Sequence, residues 1–333
     1  MSSVDVAILG ATGVVGREML KVLEQREFPV GRLALLASPR SAGTTLTFRG
    51  EEHPVQAVTE EAFEGIQVAL FSAGAGTSRE WAPKAAAKGA VVIDNSSAWR
   101  MDDAVPLVVP EVNPHAAHER PRGIIANPNC STIQMVVALA PLHRESRVRR
   151  IVVSTYQAIS GAGAAAIGAL EAQSRAHAAG EPVDPGPLTG QLAGNLLMHW
   201  KRDAETGYQE EELKMVHETR KIFGDPEIRV SPTAVRVPVI HAHSESVTVE
   251  LAAPMTAKRA RELLEGAPGI ELVDDFGAGL YPQPIHAAGT DPVYVGRIRE
   301  DVGNPGGLQM WVVSDNLRKG AALNAVQIAE LLA

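Results

Sequence analysis

The chain has 333 residues, 45% hydrophobic and 21% charged, with a formal net charge of −8 and one cysteine. That length suits two domains, and the apolar content excludes a disordered chain. The negative charge argues against a general nucleic-acid role, a lone cysteine excludes an internal disulfide, and no apolar run reaches the ~18 residues of a membrane span.

The opening "MSSVDVAILG" lacks a basic leader pattern, so the expected setting is the cytoplasm. "VDVAILGATGVVGREMLKVLEQREF" then predicts a strand, a glycine turn and an amphipathic helix. Gly10, Gly13 and Gly16 follow a G-x-x-G-x-x-G spacing. Glycines there let the backbone turn tightly and approach a pyrophosphate seated on the helix N-terminus. Val15, Met19, Val22 and Leu23 give that helix its apolar stripe. The next strand, 32–38, ends in "SPRSAG", with Ser38, Arg40 and Ser41 where an NAD site usually carries an acid for the ribose. A cationic, hydroxyl-bearing corner suits a 2′-phosphate, so NADP is the expected cofactor.

Strands are further expected at 66–74, 90–97, 105–113 and 123–128, with a helix over 78–89. Alternation of this kind indicates a parallel sheet covered on both faces, with ligands at the strand C-terminal ends. "SAGAG", "DNSSAWR" and "NPNCS" all fall at such ends. Cys130 follows Pro128 and Asn129, which favour a helix start, and precedes the apolar run from Ile133 to Leu142. A thiol in a first helical turn is held where thiolate is favoured. Cys130 is therefore expected beside the nicotinamide as a nucleophile, although a lone cysteine is more often an inert core residue.

From Arg150 the pattern changes to a strand, a glycine-rich turn and an alanine-rich helix, then a helix at 210–224 and long β-branched strands. This predicts an α+β domain on a largely antiparallel sheet, after a Rossmann-type first domain.

The motifs "GATGVVG", "ASPRSAG", "DNSSAWR", "VPLVVPEVN", "NPNCSTIQ", "STYQAISGAG", "RVPVIHAHSES" and "VVSDNLRKGAALNAVQIAE" together resemble the bacterial aspartate-semialdehyde dehydrogenases. The resemblance runs in order along nearly the whole chain and weakens only over 186–209. It implies an NADP-binding domain of residues 1–129 and 315–333 and a catalytic and dimerisation domain of 130–314. The implied reaction interconverts aspartate 4-semialdehyde, phosphate and NADP+ with 4-phospho-aspartate and NADPH through a Cys130 thioester. In biosynthesis it leads toward diaminopimelate, lysine, methionine and threonine. The implied partners are those small molecules and a second copy of the chain, as a homodimer or a dimer of dimers, with no metal, nucleic acid or membrane.

Thioester chemistry also needs a group that handles protons, and histidine suits it. His241 and His243 lie two apart, so strand periodicity gives them one face and does not choose between them. The resemblance chooses His243 as the acid/base. It further implies Gln157, Arg236 and Glu211 as substrate contacts, with Arg236 on the α-carboxylate and Glu211 on the ammonium. Arg100 and Lys214 are implied at the phosphate. Gly10, Thr12, Gly13, Val14, Val15, Arg40 and Ser41 are implied around the nucleotide, and Ser160, Gly161 and Asn316 around the nicotinamide. The alternatives are another Cys-dependent acyl-phosphate reductase, such as one acting on N-acetyl-γ-glutamyl phosphate, and a non-catalytic nucleotide-binding paralogue.

Overall fold

A computed structural model describes residues 3–198 and 200–333. The chain divides into two compact units, one of residues 1–129 and 321–333 and one of 130–320. The return to the first unit therefore comes at Ala321, later than the residue 315 expected from the sequence.

The first unit follows strand–helix alternation: β1 (Val4–Leu9), α1 (Val14–Gln25), β2 (Val30–Ala37), β3 (Thr45–Phe48), β4 (Glu51–Ala57), β5 (Val68–Phe71), α2 (Ala75–Ala87), β6 (Val91–Asp94) and β7 (Ile124–Ala126). The sheet order is β3-β4-β2-β1-β5-β6-β7, parallel apart from the antiparallel β3–β4 pair. Strand order reverses at β1, with β2 added on one side and β5 on the other, and its Leu9 pairs in parallel with Leu36 and with Phe71. Ligands of open parallel sheets gather at such a switch point. Val6 and Ile8 of β1 pack with Met19, Val22 and Leu23 of α1 and with Leu323, Val326 and Ile328 of the C-terminal segment. Each large side chain buried this way contributes about 1.5–3 kcal/mol.

One expected strand is absent. Residues 105–113 do not form a strand, and only Leu107 makes an isolated bridge, to Ala126. Pro106 and Pro110 lack the N–H that a ladder requires. The β3–β4 hairpin, by contrast, was not expected.

The second unit contains α3 (Cys130–Glu145), β8 (Val148–Gln157), α4 (Ala164–Ala179), α5 (Glu210–Phe223), β9 (Arg229–Arg236), β10 (His243–Leu251), α6 (Ala257–Leu264), β11 (Ile270–Leu272), the short α7 (Pro284–Ala287), β12 (Val293–Glu300) and β13 (Leu308–Ser314). A π-helical turn over Arg318–Ala322 leads into α8 (Leu323–Glu330). The sheet order is β11-β12-β13-β10-β8-β9, with β8, β10, β13 and β12 antiparallel in succession and a parallel pair at each edge.

Helix α3 packs on this sheet against β8, β10, β12 and β13. Strand register shows what it covers. Val153, Val247 and Met310 lie opposite one another, as do Ile151, Val249 and Leu308, and all are buried. Toward the other end the same face turns polar. Thr155 lies opposite Glu245, Gln157 opposite Arg236, and His243 opposite Ser314. An apolar floor thus grades into a buried polar row beneath one face of the sheet. A polar row without water must find its hydrogen bonds within the protein.

Candidate active site

Cys130 is the first residue of α3, at the end where unpaired N–H groups favour negative charge. Its Sγ lies 3.2 Å from Nε2 of His243, the first residue of β10. The π turn passes closely over the thiol. A Cβ at Gly320 would lie 2.8 Å from Cβ of Cys130, so only glycine fits without displacement.

His243 is fully buried. Its Nδ1 accepts a hydrogen bond of 2.9 Å from the backbone N–H of Ala158. The Ala158 carbonyl in turn accepts one of 2.6 Å from Nη1 of Arg236. Burial, reinforced by the Arg236 charge, pushes the His243 pKa down to about 3. The ring is neutral at physiological pH.

Around this pair stand the other residues singled out in this unit. Gln157 Nε2 donates to Ser131 Oγ at 2.9 Å, Glu211 Oε1 at 3.2 Å and Thr155 Oγ1 at 3.3 Å. Glu211, near the start of α5, also accepts from Lys214 Nζ at 3.0 Å. Arg236 is buried, and burial lowers its pKa against the pull of Glu211. Its guanidinium lies 4.6 Å from the ring centre of Trp200, a cation–π distance. Its backbone pairs with Leu197 in both directions, at 2.8 and 3.1 Å. Trp200 and Leu197 belong to the 186–209 segment, where the motif resemblance weakens. His199 in that segment lies outside the described residues.

The two histidines are separated by the backbone. β10 begins at His243, and Ala242 has φ +71°, a left-handed conformation that breaks strand alternation. His241 therefore does not share a face with His243, contrary to the expectation from spacing. It lines a separate, largely apolar hollow of about 1120 Å³ with Ile240, Tyr281, Pro282, Ile285 and Trp311. Asn316 Oδ1 holds the strained turn by accepting from Ala242 N–H at 3.1 Å, and its Nδ2 donates to Ser160 Oγ at 2.9 Å. Ser160 and Asn316 thus hold the backbone that presents His243. Gly161 lies beside both charged and neutral partners, since a Cβ there would lie 3.4 Å from Arg236 Nη1 and 3.6 Å from His243 Nε2.

Sequence reasoning missed Glu245. It is fully buried, two residues after His243, and neither carboxylate oxygen has a hydrogen-bond partner among the described residues. Burial raises its pKa well above the usual carboxylate range, opposed only by the nearby Gln134 amide. Gln134 stands one helical turn after Cys130. An acid in "HSES" reads as a strand-surface residue, and no local signal marks its burial.

In the first unit, Gly10 closes β1 at φ +89°, and a Cβ there would lie 2.4 Å from the Ser72 carbonyl oxygen. A Cβ at Gly16 would lie 2.2 Å from the Gly10 oxygen. Gly13 caps α1 without a side-chain hydrogen bond, and the first turn, from Val14 and Val15, carries no acid. Backbone N–H groups on an acid-free helix start fit a pyrophosphate. Ser38, Arg40 and Ser41 follow the end of β2 beside this turn, with Arg40 exposed. The corner fits a further phosphate.

Arg100 is also in the first unit, buried, with Nε donating to the Asn127 carbonyl at 2.9 Å and Nη2 to the Asn95 carbonyl at 3.0 Å. These carbonyls follow the C-terminal ends of β7 and β6. Asp94 beside it has its carboxyl pushed up by burial and is held by Ser96 Oγ at 2.6 Å. Arg100 and Lys214 therefore belong to different units. Among the described residues, no group of three or more His, Cys, Asp or Glu could hold a metal ion, and no helix is long and apolar enough to cross a membrane.

Residues 5–120 match the family model "Semialdehyde dehydrogenase, NAD binding domain", and residues 139–319 match "Semialdehyde dehydrogenase, dimerisation domain". The aspartate-semialdehyde dehydrogenase of Aquifex aeolicus is 56% identical over 330 residues, covering 98% of this chain and 97% of that protein. The solved structure of aspartate semialdehyde dehydrogenase II from Vibrio cholerae, complexed with ASA, superposes with a TM-score of 0.97 at 50% identity, covering 100% of this chain and 98% of that one. The enzyme from Candida albicans, solved with NADP, gives a TM-score of 0.78 at 25% identity, covering 99% and 98%.

Proposed function

The chain belongs to the semialdehyde dehydrogenase family, and we propose that it is an NADP-dependent, phosphorylating aspartate-semialdehyde dehydrogenase working through a thioester on Cys130. The observation that carries this reading is the Cys130 thiol at a helix start, 3.2 Å from a buried imidazole. Thiolate attack on the aldehyde carbonyl gives a tetrahedral adduct on the sulfur, and oxidation of that adduct gives the thioester. NADP, when bound at the glycine turn, takes up the hydride in this direction and supplies it in the other. His243, with Nε2 3.2 Å from the Cys130 sulfur, is the acid/base that handles the proton of the adduct. Arg236 binds the α-carboxylate and Glu211 the ammonium, while Gln157 orients the carbonyl end from beside Ser131. Phosphate, met by Arg100 and Lys214, attacks the thioester to release 4-phospho-aspartate. In the biosynthetic direction the product feeds diaminopimelate, lysine, methionine and threonine formation.

A lone reactive thiol suits the reducing cytoplasm. The open face of the second sheet carries Tyr156 and Trp311, ring centres 5.4 Å apart. That face supports assembly as a homodimer, alone or paired into a dimer of dimers.

The test is phosphate-dependent NADPH formation with aspartate semialdehyde against N-acetyl-glutamate semialdehyde. Turnover is expected with the first only. Cys130→Ala is expected to keep NADP binding and lose turnover, and substantial activity in that variant would remove the thioester.

A further inference from the structure

We infer that Trp200 is a positioning residue of the substrate site, whose ring face holds the Arg236 guanidinium away from Glu211 and so keeps the two charges apart for a zwitterionic substrate. It does so within the proposed function, in which Arg236 meets the α-carboxylate and Glu211 the ammonium, and rests on that reading.

A receptor for a zwitterion must hold a cation and an anion near each other, and the two attract. An ion pair between them would satisfy both and leave nothing for the ligand. Arg236, the last residue of β9, and Glu211, in the first turn of α5, are both buried. Burial lowers the Arg236 pKa, while the attraction of Glu211 and then of Cys130 acts the other way. Salt screens such buried charges little. Among the described residues, however, each is engaged elsewhere. Glu211 accepts from Lys214 Nζ at 3.0 Å and from Gln157 Nε2 at 3.2 Å. Arg236 commits Nη1 to the Ala158 carbonyl at 2.6 Å, and its buried Nε has no hydrogen-bond partner. A buried cation with an unmatched donor is costly unless something else compensates its charge or a ligand completes it.

Trp200 supplies the compensation. Its ring centre lies 4.6 Å from the guanidinium carbon. An aromatic face attracts the cation but, unlike a carboxylate, does not compete for its in-plane N–H groups. The guanidinium is thus stabilised without being satisfied. Backbone bonds fix the place of the ring. Leu197 and Arg236 exchange N–H···O bonds of 3.1 and 2.8 Å, which ties the segment to β9. Further on, the Lys201 carbonyl accepts from the Glu210 N–H at 2.8 Å, which ties it to the start of α5. Trp200 therefore sits on the span that joins the strand of the cation to the helix of the anion. Without the ring, the unmatched donor and the pull of Glu211 favour collapse into an ion pair. Substrate would then have to break that pair before binding, and its apparent affinity would fall by the fraction of open sites.

The test is steady-state kinetics of the full chain with two variants. Trp200→Leu keeps apolar bulk and loses the π face, whereas Trp200→Phe keeps a face. Trp200→Leu should raise the KM for aspartate semialdehyde by about 5- to 30-fold, the worth of a desolvated cation–π contact. Its kcat, and its KM for phosphate and for NADP, should stay within about twofold of wild type. Trp200→Phe should recover most of the loss. In a Glu211→Gln background, where no ion pair can form, adding Trp200→Leu should change the semialdehyde KM by less than about twofold, because the two substitutions are coupled. Equal KM values in the Leu and Phe variants, additive effects of Trp200→Leu and Glu211→Gln, or parallel rises for phosphate and NADP would each overturn the inference. A wild-type chain that does not turn over aspartate semialdehyde would instead overturn the underlying function.

Discussion

A buried neutral histidine carries a stability cost at low pH, and its size can be worked from the site. The His243 pKa is 6.5 when unperturbed and about 3 in the fold, chiefly through burial and then through Arg236. The folded value is depressed, so between the two the unfolded chain binds a proton that the folded chain does not. Stability from this group is therefore present above pH 6.5 and is lost as pH falls toward 3. At about 1.4 kcal/mol per pH unit the full loss is roughly 5 kcal/mol, and about 2 kcal/mol of it is already gone by pH 5. His243→Gln removes the titrating group and keeps a polar side chain of similar reach. Urea unfolding of both proteins at about pH 7 and pH 5 isolates the effect. The wild type should lose roughly 2 kcal/mol more than the variant between those conditions. Glu245, whose raised pKa gives a slope of opposite sign, is common to both proteins and cancels in the difference. Parallel pH dependence in the two proteins would show that His243 is not held neutral by the fold.

Two further predictions concern the anions. Arg40→Ala should weaken NADP selectively, since loss of a charge-assisted hydrogen bond costs about 1.5–3 kcal/mol, or roughly 10- to 100-fold in Kd. Calorimetric titration with NADP and NAD checks this, and equal weakening of both would show that Arg40 does not meet the 2′-phosphate. Lys214→Ala or Arg100→Ala should raise the KM for phosphate by about tenfold or more while that for the semialdehyde changes less. Saturation kinetics varying the two separately decides it, and weakening confined to the semialdehyde would place the phosphate elsewhere.

What the sequence disclosed depends on how far away each residue's constraint lies. The glycine turn was legible because its constraint is local: Gly16 must be glycine on account of Gly10, six positions earlier in the same turn. The amphipathic α1 and the alternation of strands and helices were legible for the same reason, since a helix writes its buried face into its own spacing. Helix α3 is different. It is buried from Ser131 through Ala140, so its helical period is nearly blank, and Cys130 stood out through chemistry and the proline-bracketed loop. Residues 105–113 are rich enough in valine to suggest a strand, yet two prolines deny it a ladder.

Elsewhere the controlling contact comes from far along the chain. Trp200 reaches Arg236 from a segment that no motif identifies. Spacing put His241 and His243 on one face, and a single positive φ at Ala242 parts them. That conformation is strained for a residue with a Cβ and persists only where surrounding bonds hold it. Asn316 supplies one such bond from beyond β13. The state of His243 belongs to the same class. Its Nδ1 is engaged by the amide of Ala158, eighty-five positions away, and a backbone N–H leaves no mark in a sequence. A motif can therefore nominate the histidine, while the contact that holds its ring comes from the amide just past the end of β8.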